Sequence, residues 1–141
     1  MRGDRTAYAV RIGTAGHELV ADEPADAGGG DLGPDPYSLL LASLGACKAI
    51  TMRLYADRKE WPLLETIVRL RHSRIHAEDC GDGETKEGRI DRIAVTLDLR
   101  GPLSDGQRER LLEISEKCPV HRTLTSETSV RTTLSGSAEK E

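Results

Sequence analysis

Two cysteines, Cys47 and Cys118, are the residues of this chain whose type and placement are best suited to chemistry. The apolar periodicity around each cysteine places its side chain on the inward face of a predicted helix. Thiolates are nucleophiles that exchange disulfides, so two neighbouring thiols can form a redox pair. Free cysteine is also common in protein cores as a small apolar residue. Two structural thiols are therefore the alternative, because no residue spacing proves that the two side chains meet.

The segment 35–61 predicts a long central helix that carries Cys47. Asp35 is a suitable N-cap, Pro36 occupies the first helical position and Pro62 ends the helix. Its strongly apolar half is about a dozen residues long, shorter than the roughly 20 residues that span a bilayer. We therefore expect a core helix and no membrane association. The residues that helical spacing places on its apolar face are Leu40, Leu44, Cys47 and Leu54.

A second helix, predicted over 104–117, leads to Cys118. Ser104 followed by Gln107 is a capping-box pattern, and the charged residues of this segment indicate a solvated face. The apolar face consists of Leu111, Ile114 and Cys118. The proline after Cys118 interrupts the helix, so Cys118 is expected to be the N-cap of a short new turn. A nearby base, His121, leaves open a Cys-His hydrolase or transferase, but no motif locates the oxyanion site that this chemistry requires.

Alternating apolar residues predict two β-hairpins and a final strand. The first hairpin pairs 6–12 with 17–21 across a turn at 13–16, and the second pairs 65–77 with 89–100. The threonine-rich segment 125–134 predicts the last strand. The acidic, glycine-rich segment 23–34 is expected to be a mobile connector, since no Lys-Ser/Thr follows to make it a phosphate loop.

These elements predict one α+β domain over residues 1–141. Its parts are the N-terminal hairpin and loop (1–34), the central helix (35–61), the second hairpin with the second helix and the final strand (65–134), and a tail (135–141).

Composition narrows the class of protein. Of the 141 residues 31% are charged, and the net charge of −4 argues against nucleic acid as the main partner. The N-terminal residues lack the apolar core of a secretory signal, so the expected compartment is the cytoplasm. An odd number of cysteines, three, fits a reducing environment in which thiols are more often catalytic or metal-binding than structural.

His72, His76 and Cys80 have a spacing that could indicate a metal site. On a strand, however, residues four apart lie about 13 Å from one another, which is too far for one ion with bonds of about 2 Å. The β pattern of this segment therefore predicts exposed strand and loop residues, and we expect no metal.

Two stretches of the chain, GPDPYSLLLASLGAC and EKCPVHRTL, resemble the OsmC/Ohr family. In the family as in this chain, an apolar helix opened by a proline (Pro36) carries a cysteine (Cys47), and a second helix ends in a Cys-Pro-Val motif (Cys118 to Val120). The resemblance extends to the order of the elements over nearly the whole chain. It implies an intertwined α+β homodimer, with long sheets wrapping two central cysteine-bearing helices and an active site with a cysteine pair at each interface.

The resemblance also implies an activity, the thiol-dependent reduction of organic hydroperoxides without metal, haem or flavin. Cys47 would attack the peroxide and become a sulfenic acid, and Cys118 would condense with it to a disulfide. An external dithiol would then reduce that disulfide. Leu40, Leu44 and Leu54 would line an apolar substrate pocket. The alternative is a non-catalytic dimer of the same fold that binds a hydrophobic small molecule at its interface.

The chain departs from the family's peroxidases beside the reactive thiol. Those proteins have a glutamate directly after the helix-opening proline, where it orients an arginine from the preceding segment. This chain has Tyr37 at that position, and residues 13–36 contain no arginine. The residues that could support Cys47 instead are Tyr37, Ser38, Arg11, Arg53, His121 and Arg122.

Overall fold

The computed structural model describes residues 1–3, 7–76 and 88–136. Its strands form two antiparallel sheets, one of order β1-β2-β3 and one of order β4-β5. This arrangement confirms the predicted α+β class. The elements in chain order are β1 (Arg2–Gly3), β2 (Val10–Thr14), β3 (His17–Ala21), α1 (Pro36–Lys59), β4 (Glu65–His76), β5 (Arg89–Arg100), α2 (Asp105–Ser115) and α3 (Pro119–Leu124).

The N-terminal hairpin is tighter than the sequence pattern indicated. Thr14 pairs with His17, so the turn consists only of Ala15 and Gly16, both with positive φ (49° and 82°). A turn of this kind matches the twist of the two strands and lets them pair up to its edge. The prediction that the turn covers 13–16 was therefore wrong. Position 6, where the first strand was expected to begin, lies outside the described residues.

The glycine-rich loop after β3 is folded around the buried carboxylate of Asp22. Its oxygens accept hydrogen bonds from the backbone N–H groups of Glu23 (2.8 Å), Gly30 (3.2 Å) and Leu32 (3.2 Å). A short 3-10 turn, Ala25–Ala27, lies between these donors. The prediction of a mobile connector missed this arrangement, because no local pattern signals a carboxylate that reaches ten residues ahead.

Helix α1 begins at Pro36 after the N-cap Asp35 and ends at Lys59, close to the predicted bounds. Its buried side chains advance mainly in steps of four residues, which rotates the buried stripe by about 40° at each step. Leu54 therefore lies on the far side of the helix from Met52 and is 59% exposed. The prediction that Leu54 shares the buried face was wrong for this reason. The buried residues of α1 are Leu44, Gly45, Lys48, Met52 and Ala56.

Helix α1 packs against β4, α2 and α3. Gly45 permits the close approach to β4, since a Cβ there would lie 2.8 Å from the Leu70 side chain. The cluster of buried residues at the centre of this packing consists of Met52, Ala56, Leu63, Leu99 and Leu111.

By length and mean hydropathy, α1 could also cross a membrane. Core helices of globular proteins often share these properties, and the packing of α1 against three other elements is typical of such a helix. Only 28% of its most apolar stretch is buried within the chain, so much apolar surface remains uncovered.

The second hairpin and α2 follow the prediction closely. Strands β4 and β5 pair from Glu65 with Arg100 to His76 with Arg89. At the start of α2, Ser104 and Gln107 form the expected capping box through bonds of 2.9 and 3.1 Å. The predicted inward face of Leu111, Ile114 and Cys118 is buried.

Residues 125–134, all of which are described, form no strand, so that prediction was wrong. Their apolar side chains are exposed, with Val130 84% and Leu134 82% accessible. A β pattern becomes a strand only when its backbone groups pair with a neighbouring edge, and neither sheet within the described chain takes up this segment.

Two adjacent leucines of α2 provide a test of how this helix packs against the core. Leu111 is fully buried and Leu112 is 50% exposed, so the same substitution should have different costs at the two positions. We expect Leu111→Ala to lower the free energy of unfolding by about 2–5 kcal/mol because it leaves a cavity. Leu112→Ala should change it by no more than about 0.5 kcal/mol. Chemical denaturation measures both, and equal losses would contradict the orientation of α2.

Candidate functional site

The two cysteines lie where α1 meets the junction of α2 and α3. Cys47 is half-buried on α1, and Cys118 is fully buried between the two shorter helices. The Cys47 side chain is close enough to Cys118 to hydrogen-bond with it. The structure thus brings together the two thiols that sequence analysis singled out, and both are free.

The local backbone fixes the position of the Cys118 side chain. As the N-cap of α3 it has an extended conformation (φ −64°, ψ 146°), which the following Pro119 favours. Its Sγ accepts a hydrogen bond from the backbone N–H of His121 at 3.3 Å. This is the capping role that the sequence predicted for Cys118.

Burial raises the pKa of the Cys118 thiol above its ordinary value, and the neighbouring Cys47 raises it further. The His121 N–H bond and the positive charge of Lys48 act in the opposite direction and lower this pKa. Cys118 is therefore protonated at neutral pH.

Lys48, which sequence analysis overlooked, is the buried cation of the site and is only 3% exposed. Its Nζ donates a hydrogen bond to the carbonyl oxygen of Ser115 at 2.9 Å and lies 2.9 Å from Nδ1 of His121. The signal in the sequence was its position four residues after Leu44 and four before Met52, on an otherwise apolar stripe.

His121 is neutral in this arrangement. An ammonium can only donate, so Nδ1 of His121 accepts and the ring proton is on Nε2. Burial lowers the pKa of His121, the charge of Lys48 lowers it further, and Glu116 raises it. Of the supporting residues proposed from the sequence, His121 is the one that donates a hydrogen bond to the Cys118 sulfur.

Tyr37 and Ser38 lie at the start of α1, about ten residues before Cys47. The Tyr37 ring stacks on His72, with centroids 4.6 Å apart and an interplanar angle of 13°. The Ser38 hydroxyl donates to the Asp35 carboxylate, and this bond is the main cause of the lowered pKa of Asp35. Within the single chain, both side chains are engaged at the helix start, about 15 Å along the axis from the thiol.

His72, the first histidine of the possible metal-site spacing on β4, takes part in an ion-pair network. Nε2 of His72 lies 2.7 Å from the Asp91 carboxylate, which also accepts from Arg74 at 3.2 Å. The bond with His72 is the main cause of the lowered pKa of Asp91. Among the described residues no cluster of His, Cys, Asp or Glu could hold a metal ion, and Cys80 lies outside them.

Among the described residues, no side-chain contact joins a candidate arginine to either sulfur, although the backbone N–H of Arg122 donates to the carbonyl oxygen of Cys118 at 3.1 Å. Arg11 is exposed on β2 in the N-terminal sheet, and Arg122 is exposed on α3. Arg53 extends toward the C-terminal end of α1, where it donates to the carbonyl of Leu63 and pairs with Asp57 at 3.5 Å.

The predicted apolar lining is only partly assembled. Leu44 is buried and Leu40 is half-buried, one and two helical turns before Cys47 on the same side of α1. Leu54 is exposed and does not share the buried face of α1.

Comparison with known families and structures extends these observations. Residues 28–133 match the family model described as OsmC-like protein, and a search of curated proteins found no match. An OsmC-like protein from Mycoplasma pneumoniae is 20% identical, with a TM-score of 0.61 over 86% of this chain and 89% of that one.

Two further solved structures share the fold. An organic hydroperoxide resistance protein OsmC from Legionella pneumophila is 20% identical, with a TM-score of 0.57 over 87% of this chain and 91% of that one. A protein from Vibrio cholerae, provisionally described as an organic hydroperoxide resistance protein, was solved with captopril in one of its active sites. It is 19% identical, with a TM-score of 0.54 over 86% of each chain. At these identities the likeness establishes the fold.

The protonation state of His121 is directly testable. Because its pKa is lowered in the folded chain, we expect its NMR titration midpoint below its ordinary value of 6.5. As pH falls below 6.5, His121 therefore binds a proton more readily in the unfolded chain than in the folded chain. The free energy of unfolding should keep its full value above pH 6.5 and decrease as pH falls from there through the folded pKa of His121.

His121→Asn is the matched control for this prediction, because its side-chain oxygen can still accept from Lys48. It identifies the His121 resonance and should remove this component of the pH dependence of stability. A midpoint at or above the ordinary value would contradict the buried, neutral imidazole.

Proposed function

This chain belongs to the OsmC-like protein family, and we propose that it is a thiol-dependent peroxidase that reduces organic hydroperoxides through Cys47 and Cys118. The observation that carries the proposal is the contact of these two thiols at the junction of α1 with α2 and α3. The described functions of the Legionella and Vibrio relatives support this substrate class.

The different exposure of the two thiols supports different roles. Cys47 is half-buried and accessible, so it is the thiol that meets the peroxide. Its thiolate attacks the terminal oxygen, the O–O bond breaks, and an alkoxide leaves and takes up a proton to become an alcohol. Cys47 is thereby oxidised to a sulfenic acid, and the hydroperoxide is reduced by two electrons.

Cys118, buried against Cys47, resolves this intermediate. Its sulfur displaces hydroxide from the sulfenic acid, and the proton that Cys118 gives up joins that hydroxide to form water. An external dithiol then reduces the Cys47–Cys118 disulfide, and both electrons and both protons come from the reductant. The cycle needs no bound cofactor, and a cytoplasmic location would supply the reductant.

The apolar surroundings support a hydrophobic hydroperoxide as the substrate. Leu40 and Leu44 lie on the same side of α1 as Cys47 and place aliphatic surface beside it. Burial of an alkyl group there contributes about 25 cal/mol for each Å² removed from water. Hydrogen peroxide gains no such contribution.

Two features of the single chain support an intertwined homodimer. Helix α1 leaves large apolar side chains exposed, among them Ile50 at 60% and Leu54 at 59%. The segment 125–134 has the composition of a strand but no partner within the described chain. A second copy would cover the helix face and offer an edge to that segment, which places Leu54 at the interface.

The peroxidase proposal predicts rapid consumption of cumene hydroperoxide by the wild-type protein in the presence of dithiothreitol. Cys47→Ser should reduce the rate to that of the reductant alone, because serine cannot form a sulfenic acid. Equal rates for the two proteins would contradict the proposal. They would favour the non-catalytic dimer that binds a hydrophobic molecule at its interface.

Cys118→Ser separates the two roles. After a single addition of peroxide, this variant should accumulate a Cys47 that reacts with dimedone, which mass spectrometry detects. The wild type should instead lose two thiols to a disulfide. Absence of the label would contradict Cys118 as the resolving thiol.

The homodimer predicts a solution mass close to twice the chain mass of 15.4 kDa, measured by light scattering after size exclusion. Leu54→Glu should shift this mass toward the monomer, because a charge would replace an apolar contact. A wild-type mass equal to that of one chain would contradict the intertwined architecture.

A further inference from the structure

Lys48 is a buried cation whose contacts are both uncharged. Its Nζ donates to the Ser115 carbonyl oxygen and to Nδ1 of a neutral His121, each at 2.9 Å. In the part of the chain that the structure describes, no carboxylate contacts this ammonium. A buried charge without an opposite charge is costly, so a compensating anion is expected to form beside it.

The group that can supply this anion is Cys118. The two partners of Lys48 flank this cysteine, since Ser115 precedes it by three residues and His121 follows it by three. The ammonium therefore bridges the end of α2 and the start of α3, and Cys118 is the buried ionisable residue between its two contacts. The positive charge of Lys48 favours the thiolate of Cys118, against the effect of burial.

We propose that Lys48 is the positioning residue of the buried thiol, and that its ammonium holds the Cys118 thiolate during the formation and the reduction of the Cys47–Cys118 disulfide. This inference rests on the proposed function of the cysteine pair. It gives Lys48 a role in the steps in which Cys118 forms the disulfide and is released from it.

Each step passes through the same thiolate. In disulfide formation, Cys118 loses its proton, the thiolate attacks the oxidised sulfur of Cys47, and hydroxide leaves and takes up that proton. In reduction, a dithiol thiolate attacks the accessible Cys47 sulfur, the S–S bond breaks and Cys118 leaves as thiolate. The second thiol of the reductant then displaces Cys47, so the reductant becomes a disulfide and both cysteines regain protons.

The charged and titratable groups near the Cys118 sulfur come from the three helices that pack around it. Helix α1 supplies Cys47 and Lys48, α3 supplies His121, and Glu116 at the end of α2 faces His121. Lys48 is the cation in this set, because His121 is neutral at neutral pH. Removing the charge of Lys48 should therefore raise the pKa of Cys118, because the cation that favours its thiolate is lost.

The size of the effect follows from general thiol chemistry. Loss of a neighbouring cation raises a thiol pKa, and each unit of increase lowers the thiolate fraction at neutral pH about tenfold. The remaining thiolate is intrinsically more nucleophilic, which offsets about threefold of this loss for each unit. The attack on Cys47 should thus be about threefold slower for each unit by which the pKa of Cys118 rises.

The first experiment titrates Cys118 by thiolate ultraviolet absorbance in a Cys47→Ser, Cys80→Ser background, where it is the remaining cysteine. Lys48→Met removes the charge and both hydrogen bonds, whereas Lys48→Gln removes the charge but retains an amide donor for the Ser115 carbonyl. We expect the midpoint to move to higher pH in both variants. Lys59→Met, an exposed change on the same helix, is the matched control and should leave it unchanged.

The second experiment uses proteins with all native cysteines. Diamide forms the Cys47–Cys118 disulfide without peroxide, and thiol trapping with mass spectrometry follows its reduction by dithiothreitol. We expect reduction at neutral pH to be slower in Lys48→Met and Lys48→Gln than in the wild type and Lys59→Met, because a leaving thiol with a higher pKa leaves more slowly.

A titration midpoint that is unchanged in Lys48→Gln would overturn the inference and leave Lys48 as a cap for α2, a role that the amide can fill. Unchanged reduction rates, or a wild type that forms no disulfide with diamide, would overturn it as well. Neither experiment uses a hydroperoxide. Failure of the peroxidase proposal would therefore appear separately, as absent peroxide consumption with these readouts intact.

Discussion

The packing of α1 against the junction of α2 and α3 is the contact on which the rest of the structure depends. It buries the stripe that runs from Leu44 to Ala56 and places Cys47 against Cys118. Gly45 allows the same helix to approach β4 closely on another side. A single helix thus joins the core to the thiol pair, so a change in its rotation would alter both.

The two thiols differ because of what surrounds them. Cys47 lies on a helix face that is partly open, whereas Cys118 is enclosed and depends on a backbone N–H and a buried ammonium for its ionisation. In the redox cycle that we propose, this asymmetry would give the two thiols different roles. The accessible thiol would meet substrate and reductant, and the enclosed thiol would react only with its neighbour.

Local patterns predicted much of this fold. The capping box at Ser104, the proline that opens α1 and the strand alternation of the second hairpin are decided within a few residues of the chain. The position of Cys118 at the N-cap of α3 was predictable for the same reason, since Pro119 restricts the residue before it. These features were confirmed.

The features that sequence analysis missed depend on distant contacts. Lys48 was overlooked because a lysine is normally exposed, and its burial depends on acceptors about seventy residues away in the chain. The exposure of Leu54 results from the drift of the buried stripe along α1. The segment 125–134 has the composition of a strand, but pairing requires an edge that composition cannot locate.

The Cys118-Pro119 step has a consequence for reversibility. Because proline bars the preceding residue from the helical region, α2 and α3 cannot merge into one continuous helix, and Cys118 stays extended. Part of the conformational entropy lost in fixing this sulfur is therefore already absent from the unfolded chain. The proline thus restricts the backbone that carries this sulfur, and in the proposed redox cycle it would favour the return of the sulfur to the same place after each change of oxidation state.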